Sequence, residues 1–271
     1  MKITFLGTGT STGVPAIGCG CKTCTSEDPK DRRMRSSILI STDDGMNIII
    51  DTGPDFREQC LKHGITRVDA VLYTHAHMDH IAGLDDLRRF NSLTESPLPV
   101  YAVPHVMKSL KQVFGYAFSD TYTSANVPCL VPVEIPFLEP CQIKSFSFTP
   151  LPIDHGEEES TCFLFPDWAY CTDASGISAD TERYLSGIPL FILGALRSRP
   201  HPKHFSFDQA ARTVELLKPD KAFLTHIGHN VPHTEQKTII PHENIEFAYD
   251  GLVVKTGNSD QWSDGRKTAR P

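Results

Sequence analysis

An apolar run, Val71-Leu-Tyr, breaks off into His75-Ala-His77-Met-Asp79-His80, and no other segment constrains this chain so strongly. Three imidazoles and one carboxylate crowd into six residues directly after a buried strand. Imidazole and carboxylate together suit Zn, Mn or Fe. In an extended segment His75 and His77, two apart, point the same way. Asp79 and His80 then turn aside and can address a second ion. One short loop thus begins two adjacent metal sites, and each needs more donors. The sequence supplies them at the ends of apolar runs: His155 after Leu151-Pro-Ile, Asp173 after Trp168-Ala-Tyr-Cys, and His226 after Ala222-Phe-Leu. Each alone is an ordinary residue at a strand end. Three acceptable ligands in the same kind of position form a set.

A second cluster, Gly18-Cys19-Gly-Cys21-Lys-Thr-Cys24, places three thiols within six residues. A closed tetrahedral zinc site needs four ligands. The fourth is absent locally, and His229, three residues after His226, is the candidate. The remaining cysteines, Cys60, Cys129, Cys141, Cys162 and Cys171, sit mostly in apolar or strand-like contexts and read as buried free thiols.

The 271 residues suffice for a proper core, and 39% hydrophobic with 22% charged residues is ordinary for a globular chain. A net charge of −7 argues against a general nucleic-acid or anionic-membrane binder. No run approaches the roughly 18 apolar residues of a membrane span. The start, MKITFLGTGTSTG, lacks the apolar core of about 7–15 residues that marks a signal peptide. A cytoplasmic protein is therefore expected, with no membrane partner.

Strands are expected at 2–6, 37–41, 46–50, 69–73, 98–103, 143–152, 161–166, 168–172, 190–193, 222–225 and 253–254. Helices are expected at 56–63, stopping at Gly64, and at 81–91, 106–113 and 207–217. Residues 119–142, rich in Pro, Thr and Ser, read as an insertion or lid. One domain over 1–257 and a loose polar tail over 258–271 complete the organisation. Interleaved strands and helices make an α/β sandwich the natural class.

The order His-x-His-x-Asp-His, then His, Asp and His, with Asp51-Thr-Gly53 after the second hairpin strand, resembles the metallo-β-lactamase superfamily over nearly the whole chain. The resemblance implies a four-layer αβ/βα sandwich with two divalent metals at one edge. One metal takes His75, His77 and His155. The other takes Asp79, His80 and His226, with Asp173 bridging. Asp51 supports the metal loop without being a ligand. A bridging Asp with a third His is the pattern of phosphodiester and thioester hydrolases, and it disfavours lactam cleavage. The cysteine loop resembles that of the phosphodiesterases that cleave phosphoribosyl cyclic phosphate in phosphonate breakdown. It implies a structural zinc at Cys19, Cys21, Cys24 and His229.

Pro200-His201-Pro-Lys-His204-Phe-Ser lies between an apolar strand and a helix, where related branches keep a His that protonates the leaving oxygen. His204, directly before Phe-Ser, is preferred to His201. Arg197, Arg199, Lys203 and Arg88 are cations that could hold a phosphate. His233 resembles another recurrent His, of open role. The implied activity is hydrolysis of a small, cyclic phosphodiester by water activated between two cations, with Asp79 and His204 as catalytic residues. A homodimer is the assembly the family suggests. The alternatives are a tRNA 3′-processing endonuclease, disfavoured by the acidic balance and the lack of a basic arm, a glyoxalase-type thioesterase, and a non-catalytic metal scaffold.

Overall fold

The structure, a computed structural model, describes residues 1–119, 121 and 127–257; the tail expected over 258–271 and part of the 119–142 stretch lie outside the described residues. Two seven-stranded sheets carry the chain. The first holds β1 (Lys2–Gly7), β2 (Ser37–Ser41), β3 (Asn47–Ile50), β4 (Ala70–Leu72), β5 (Leu98–Ala102), β6 (Leu130–Glu134) and β14 (Val253–Lys255), in the order β14-β1-β2-β3-β4-β5-β6. The second holds β7 (Cys141–Ile143), β8 (Phe146–His155), β9 (Glu158–Leu164), β10 (Trp168–Cys171), β11 (Leu190–Gly194), β12 (Lys221–Thr225) and β13 (Ile245–Phe247), in the order β13-β12-β11-β10-β9-β8-β7. β3 to β6 run parallel, as do β10 to β13, while the strands on the other side of each sheet pair antiparallel.

The parallel strands read as continuous apolar runs because both of their faces are covered. In β11, Leu190 and Ile192 join the core between the sheets, while Phe191 and Leu193 join a second core. That second core is completed by Ala210, Val214 and Leu217 of α6 (Phe207–Leu217) and Leu185 of α5 (Ala179–Leu185). Phe5 of β1 meets Phe223 of β12 edge-on at 5.9 Å across the sandwich. Four helices accompany the first sheet, α1 (Phe56–His63) packed on β1, α4 (Pro104–Val113) packed on β5 and β6, and α2 (Met78–Ile81) and α3 (Arg88–Thr94) between them in the chain, while α7 (Gln236–Ile239) precedes β13. Phe56, Phe90, Met107 and Leu110 bury their side chains from these helices. The result is the αβ/βα sandwich expected from the sequence.

Two expectations change. The helix expected over 81–91 is broken into α2, a 3₁₀ turn over Leu84–Leu87, and α3. Gly83 packs so tightly that a Cβ there would sit 2.2 Å from the Gly53 carbonyl oxygen, so tertiary contact overrides the local helical pattern. The 119–142 stretch is no appended lid in its described part. It contributes β6 to one sheet and enters β7 of the other, so it is the crossover between them. Pro132 is tolerated in β6 because that strand forms the sheet edge, where a missing N–H costs no ladder bond. Among the described residues no helix is long and apolar enough to cross a membrane. Of the five scattered cysteines four are buried as expected, but Cys141, on edge strand β7, is partly exposed.

Candidate metal centre

Every candidate ligand of the dinuclear cluster leaves a strand end on one edge of the sandwich. His75, His77, Asp79 and His80 follow β4, His155 ends β8, Asp173 follows β10 and His226 follows β12. The carboxyl ends of parallel strands are where open α/β sheets place ligands. Asp51, Asp173 and His226 each have positive φ, at 64°, 51° and 58°. Non-glycine residues held there are uncommon and cluster at functional sites, because surrounding structure must impose the conformation.

Donor atoms of His75, His77 and His155 converge within 4.8 Å, and so do those of Asp79, His80 and His226. Asp173 sits between the two trios. Its Oδ2 lies 3.0 Å from His80 Nε2, its Oδ1 lies 3.1 Å from His226 Nε2, and its donors also group with His75 and with His155. All seven residues nominated from the sequence come together here. The buried Nε2 atoms of His75, His80 and His226 have no hydrogen-bond partner of acceptable geometry, although carboxylates lie close. A buried polar atom left in this way is costly unless something else satisfies it. Seven convergent N and O donors with three such orphaned nitrogens fit a pair of divalent cations.

Charge is arranged to match. Burial pushes the His75 imidazole well down, helped by His80. Burial would raise the Asp173 carboxyl, but His226 and His80 overcome it and hold the group ionised. Asp79 is likewise held low by His226 and His80 against the effect of its burial. Asp51, fully buried, accepts from Thr74 N at 2.9 Å and Thr74 Oγ1 at 2.8 Å, and its Oδ2 lies 2.7 Å from His80 Nδ1. It therefore touches a candidate ligand from behind, as the resemblance implied. A cavity of about 390 Å³ opens beside the cluster, bounded by His75, His77, His105, Ser109 and Glu158.

His204 stacks on His226 with ring centroids 4.8 Å apart, and its Nδ1 lies 3.3 Å from Asp173 Oδ1. His201 lies one layer further out, 5.0 Å from the His204 ring and off the ligand cluster. Burial, then His226, pushes the His204 imidazole down to about 3. Of the cations nominated from the sequence, Arg197 donates to the Arg199 and Pro200 carbonyls, Lys203 pairs with Glu158, and Arg88 pairs with Asp85. These partners turn Arg197 onto its own loop and Arg88 toward its own helix turn.

The thiols converge too. Cys19 Sγ and Cys21 Sγ lie 3.3 and 3.4 Å from His229 Nδ1, and all four donors including Cys24 fall within 4.8 Å. A hydrogen bond from the Cys24 backbone, then His229, draws the Cys21 thiol down to about 6, so a thiolate is within reach at neutral pH. Three sulfurs and an imidazole are a fitting donor set for tetrahedral zinc. Arg33 carries no signal that sequence reasoning could have found. Fully buried, it donates to the Gly228 and Val231 carbonyls and to Asp31, tying the N-terminal loop to the segment that carries His226 and His229. His233 lies beside it, its backbone N–H bonded to Asp31 and its ring against Tyr249, away from the cluster.

The family model for the beta-lactamase superfamily domain matches residues 46–227. The chain belongs to the beta-lactamase superfamily. This fold and this donor set suit metal-dependent hydrolysis. A crystal structure described as a new diphosphatase from the PhnP family is 39% identical, with a TM-score of 0.86 over 93% of this chain and 96% of that one. The octanoyltransferase of Porphyromonas gingivalis strain W83 is 39% identical over 254 residues, 93% of this chain but 51% of that protein. Coenzyme PQQ synthesis protein B of Methylobacterium nodulans is 31% identical over 47% of this chain and 46% of its own length. The chain thus spans about half the length of the curated relatives it matches. Human tRNase Z, short form, shares the fold with a TM-score of 0.65 over 94% of this chain and 99% of its own, at 17% identity.

Proposed function

We propose that this protein hydrolyses a small phosphodiester, with a cyclic ribose phosphate as its best substrate class, using two divalent cations held by His75, His77, His155, Asp79, His80, His226 and a shared Asp173. The observation that carries the reading is the place of Asp173, between two histidine-bearing trios and in reach of His204. When bound, a pair of such cations supplies an activated water at neutral pH and positive charge against phosphoryl oxygens. The chain supplies the rest. Asp51 fixes the ring of His80, and Asp173 holds the two trios in register. His204 faces the cluster, where burial and then His226 disfavour its charged form. A phosphate dianion or diester placed beside it raises its proton affinity, and it then gives that proton to the departing oxygen.

The relative described as a diphosphatase supports a second reading, hydrolysis of a diphosphate bridge by the same machinery. The octanoyltransferase name belongs to a protein about twice this length, and the donor set here suits hydrolysis by activated water. The acidic balance of −7 favours a small substrate over tRNA. The deciding assay gives metal-stripped, Zn-loaded and Mn-loaded protein three substrates: bis(p-nitrophenyl) phosphate, a cyclic ribose phosphate and a dinucleoside diphosphate. Metal-restored turnover with the cyclic ester fastest supports the first reading. A preference for the diphosphate moves the assignment to the second, and no turnover of any phosphorus substrate removes both.

A further inference from the structure

Two rings of the His75–His77–His155 trio, those of His77 and His155, are backed at the surface, while His75 Nδ1 lies 3.0 Å from the buried Thr74 hydroxyl. The inward atoms of the two rings are identified by contact: His155 Nε2 and His77 Nδ1 lie 3.2 Å apart. The outward atoms then have clear partners. His155 Nδ1 lies 2.7 Å from the Lys203 carbonyl oxygen and donates to it. His77 Nε2 lies 2.7 Å from Glu158 Oε2. Glu158 Oε1 in turn lies 3.2 Å from the Lys203 ammonium. Lys203 therefore reaches both rings, one through its backbone and one through Glu158. Its stem crosses Gly156, where a Cβ would come 2.8 Å from Lys203 Cγ, and the turn there has φ of 69°. Only glycine suits both conditions. The residue after Lys203 is His204, beside Asp173.

We propose that Glu158 and Lys203 form a latch that sets how tightly the His75–His77–His155 trio holds its cation and that couples this cation to the seating of His204. The inference rests on the metal assignment proposed above. A ligating imidazole whose second N–H donates to a carboxylate has its tautomer and ring orientation fixed and is a stronger base. The Glu158–Lys203 pair is half-exposed, so its own ion-pair energy is small. Its effect comes through the His77 ring, as a positioning residue acts. Glu158 also borders the cavity beside the trio, so a substrate entering there meets the latch directly.

The test measures metal affinity rather than turnover. Metal-stripped protein is titrated with Co(II), and separately with Zn(II) against a competing chelator. Thiolate-to-cobalt absorption reports the cysteine site apart from the His/Asp cluster. Wild-type protein is expected to take two ions in the cluster. E158A, which deletes the acceptor, is expected to weaken one of these two by roughly 10–100-fold and leave the other and the thiolate band unchanged. E158Q, which keeps an acceptor but not the charge, falls between. K203M loses part of the same ion's affinity, and salt weakens that ion in wild type but not in E158A. E159Q removes the same charge one residue along and is expected to stay within about twofold. Equal affinities in E158A and wild type, or equal losses in E158A and E159Q, would overturn the latch. Failure of wild type to bind any ion in the cluster would instead overturn the function proposed above.

Discussion

The two trios hold similar donors on very different supports. Asp79, His80 and His226 are backed by Asp51, which is fully buried and bonded to both Thr74 groups. Of the other trio, His75 rests on the buried Thr74 hydroxyl, but His77 and His155 are backed by Glu158 and Lys203 at the mouth, whose side chains are 53% and 39% exposed. A buried carboxylate is stiff and shielded, and losing it leaves buried donors unpaired. An exposed carboxylate is screened, adjustable and easily displaced. On the two-cation reading proposed above, the contrast predicts one cation held more firmly than the other.

The largest expected effect comes from removing what the two halves share. D173N leaves each trio intact but takes the negative charge from between them. Turnover should fall roughly a thousandfold, the rate equivalent of about 4 kcal/mol of lost charge stabilisation. Stoichiometry by metal analysis after dialysis should fall with it. Full retention of both ions and of rate would mean that the trios function independently, and the comparison would lose its basis.

Next is His204, which belongs to the latch side by sequence and to the Asp173 side by contact. H204A should cost roughly 10²–10⁴ on a cyclic ribose ester, whose leaving oxygen needs a proton. On a nitrophenyl ester, whose leaving group needs none, the loss should be small. An equal loss on both substrates would make His204 a positioning residue for Asp173 instead of a proton donor.

D51A and E158A then compare the two supports directly. Each should weaken one ion by roughly 10–100-fold. In metal-free protein they should part company. D51A strands the Thr74 N–H, the Thr74 hydroxyl and His80 Nδ1 in the interior, at about 1–3 kcal/mol for each group left unsatisfied. E158A leaves only solvent-reachable groups and should shift stability by less than about 0.5 kcal/mol. Urea unfolding of the two apo variants reads this difference, and equal destabilisation would erase the distinction between them.

What the sequence made legible follows the same division. Ligands at strand ends could be read because chemistry and apolar runs are both local: His75 to His80, Asp173 and His226 sit where β4, β10 and β12 stop. Helices with caps could be read as well. Residues 207–217 end where the pattern ends, with a Ser206–Gln209 capping box in front, and 56–63 stops at Gly64. The break at Gly83 could not, because it depends on Gly53, thirty residues away in sequence. α5, α7 and β13 are too short for periodicity to speak, and β6 was hidden by its proline. Glu158 was invisible for another reason. An exposed Glu at the start of a strand carries no signal of its own, and its importance lies in being 2.7 Å from His77.

The last effect, on stability rather than on metal or turnover, tests the buried side through its backbone scaffold. Asp250 accepts from Thr8 N, Thr8 Oγ1 and Met34 N, which anchors the loop after β1. That loop bonds to the Ile227 carbonyl through Thr10, next to His226. Burial outweighs these donors and lifts the Asp250 carboxyl to about 6. An acid whose folded pKa is raised binds more protons native than unfolded, so its contribution is fully present below about pH 4 and is lost as pH rises through about 6. The apo protein should therefore lose on the order of 2 kcal/mol across that window from this group alone. D250N costs stability at every pH, since its amide nitrogen faces the Met34 N–H or the Thr8 donors. What matters is the slope. Stability measured from pH 4 to 7 should flatten in D250N and keep its fall in E158A. If both variants keep the wild-type slope, the scaffold beneath His226 is not strained by this carboxylate, and the firmness of the buried site must come from Asp51 alone.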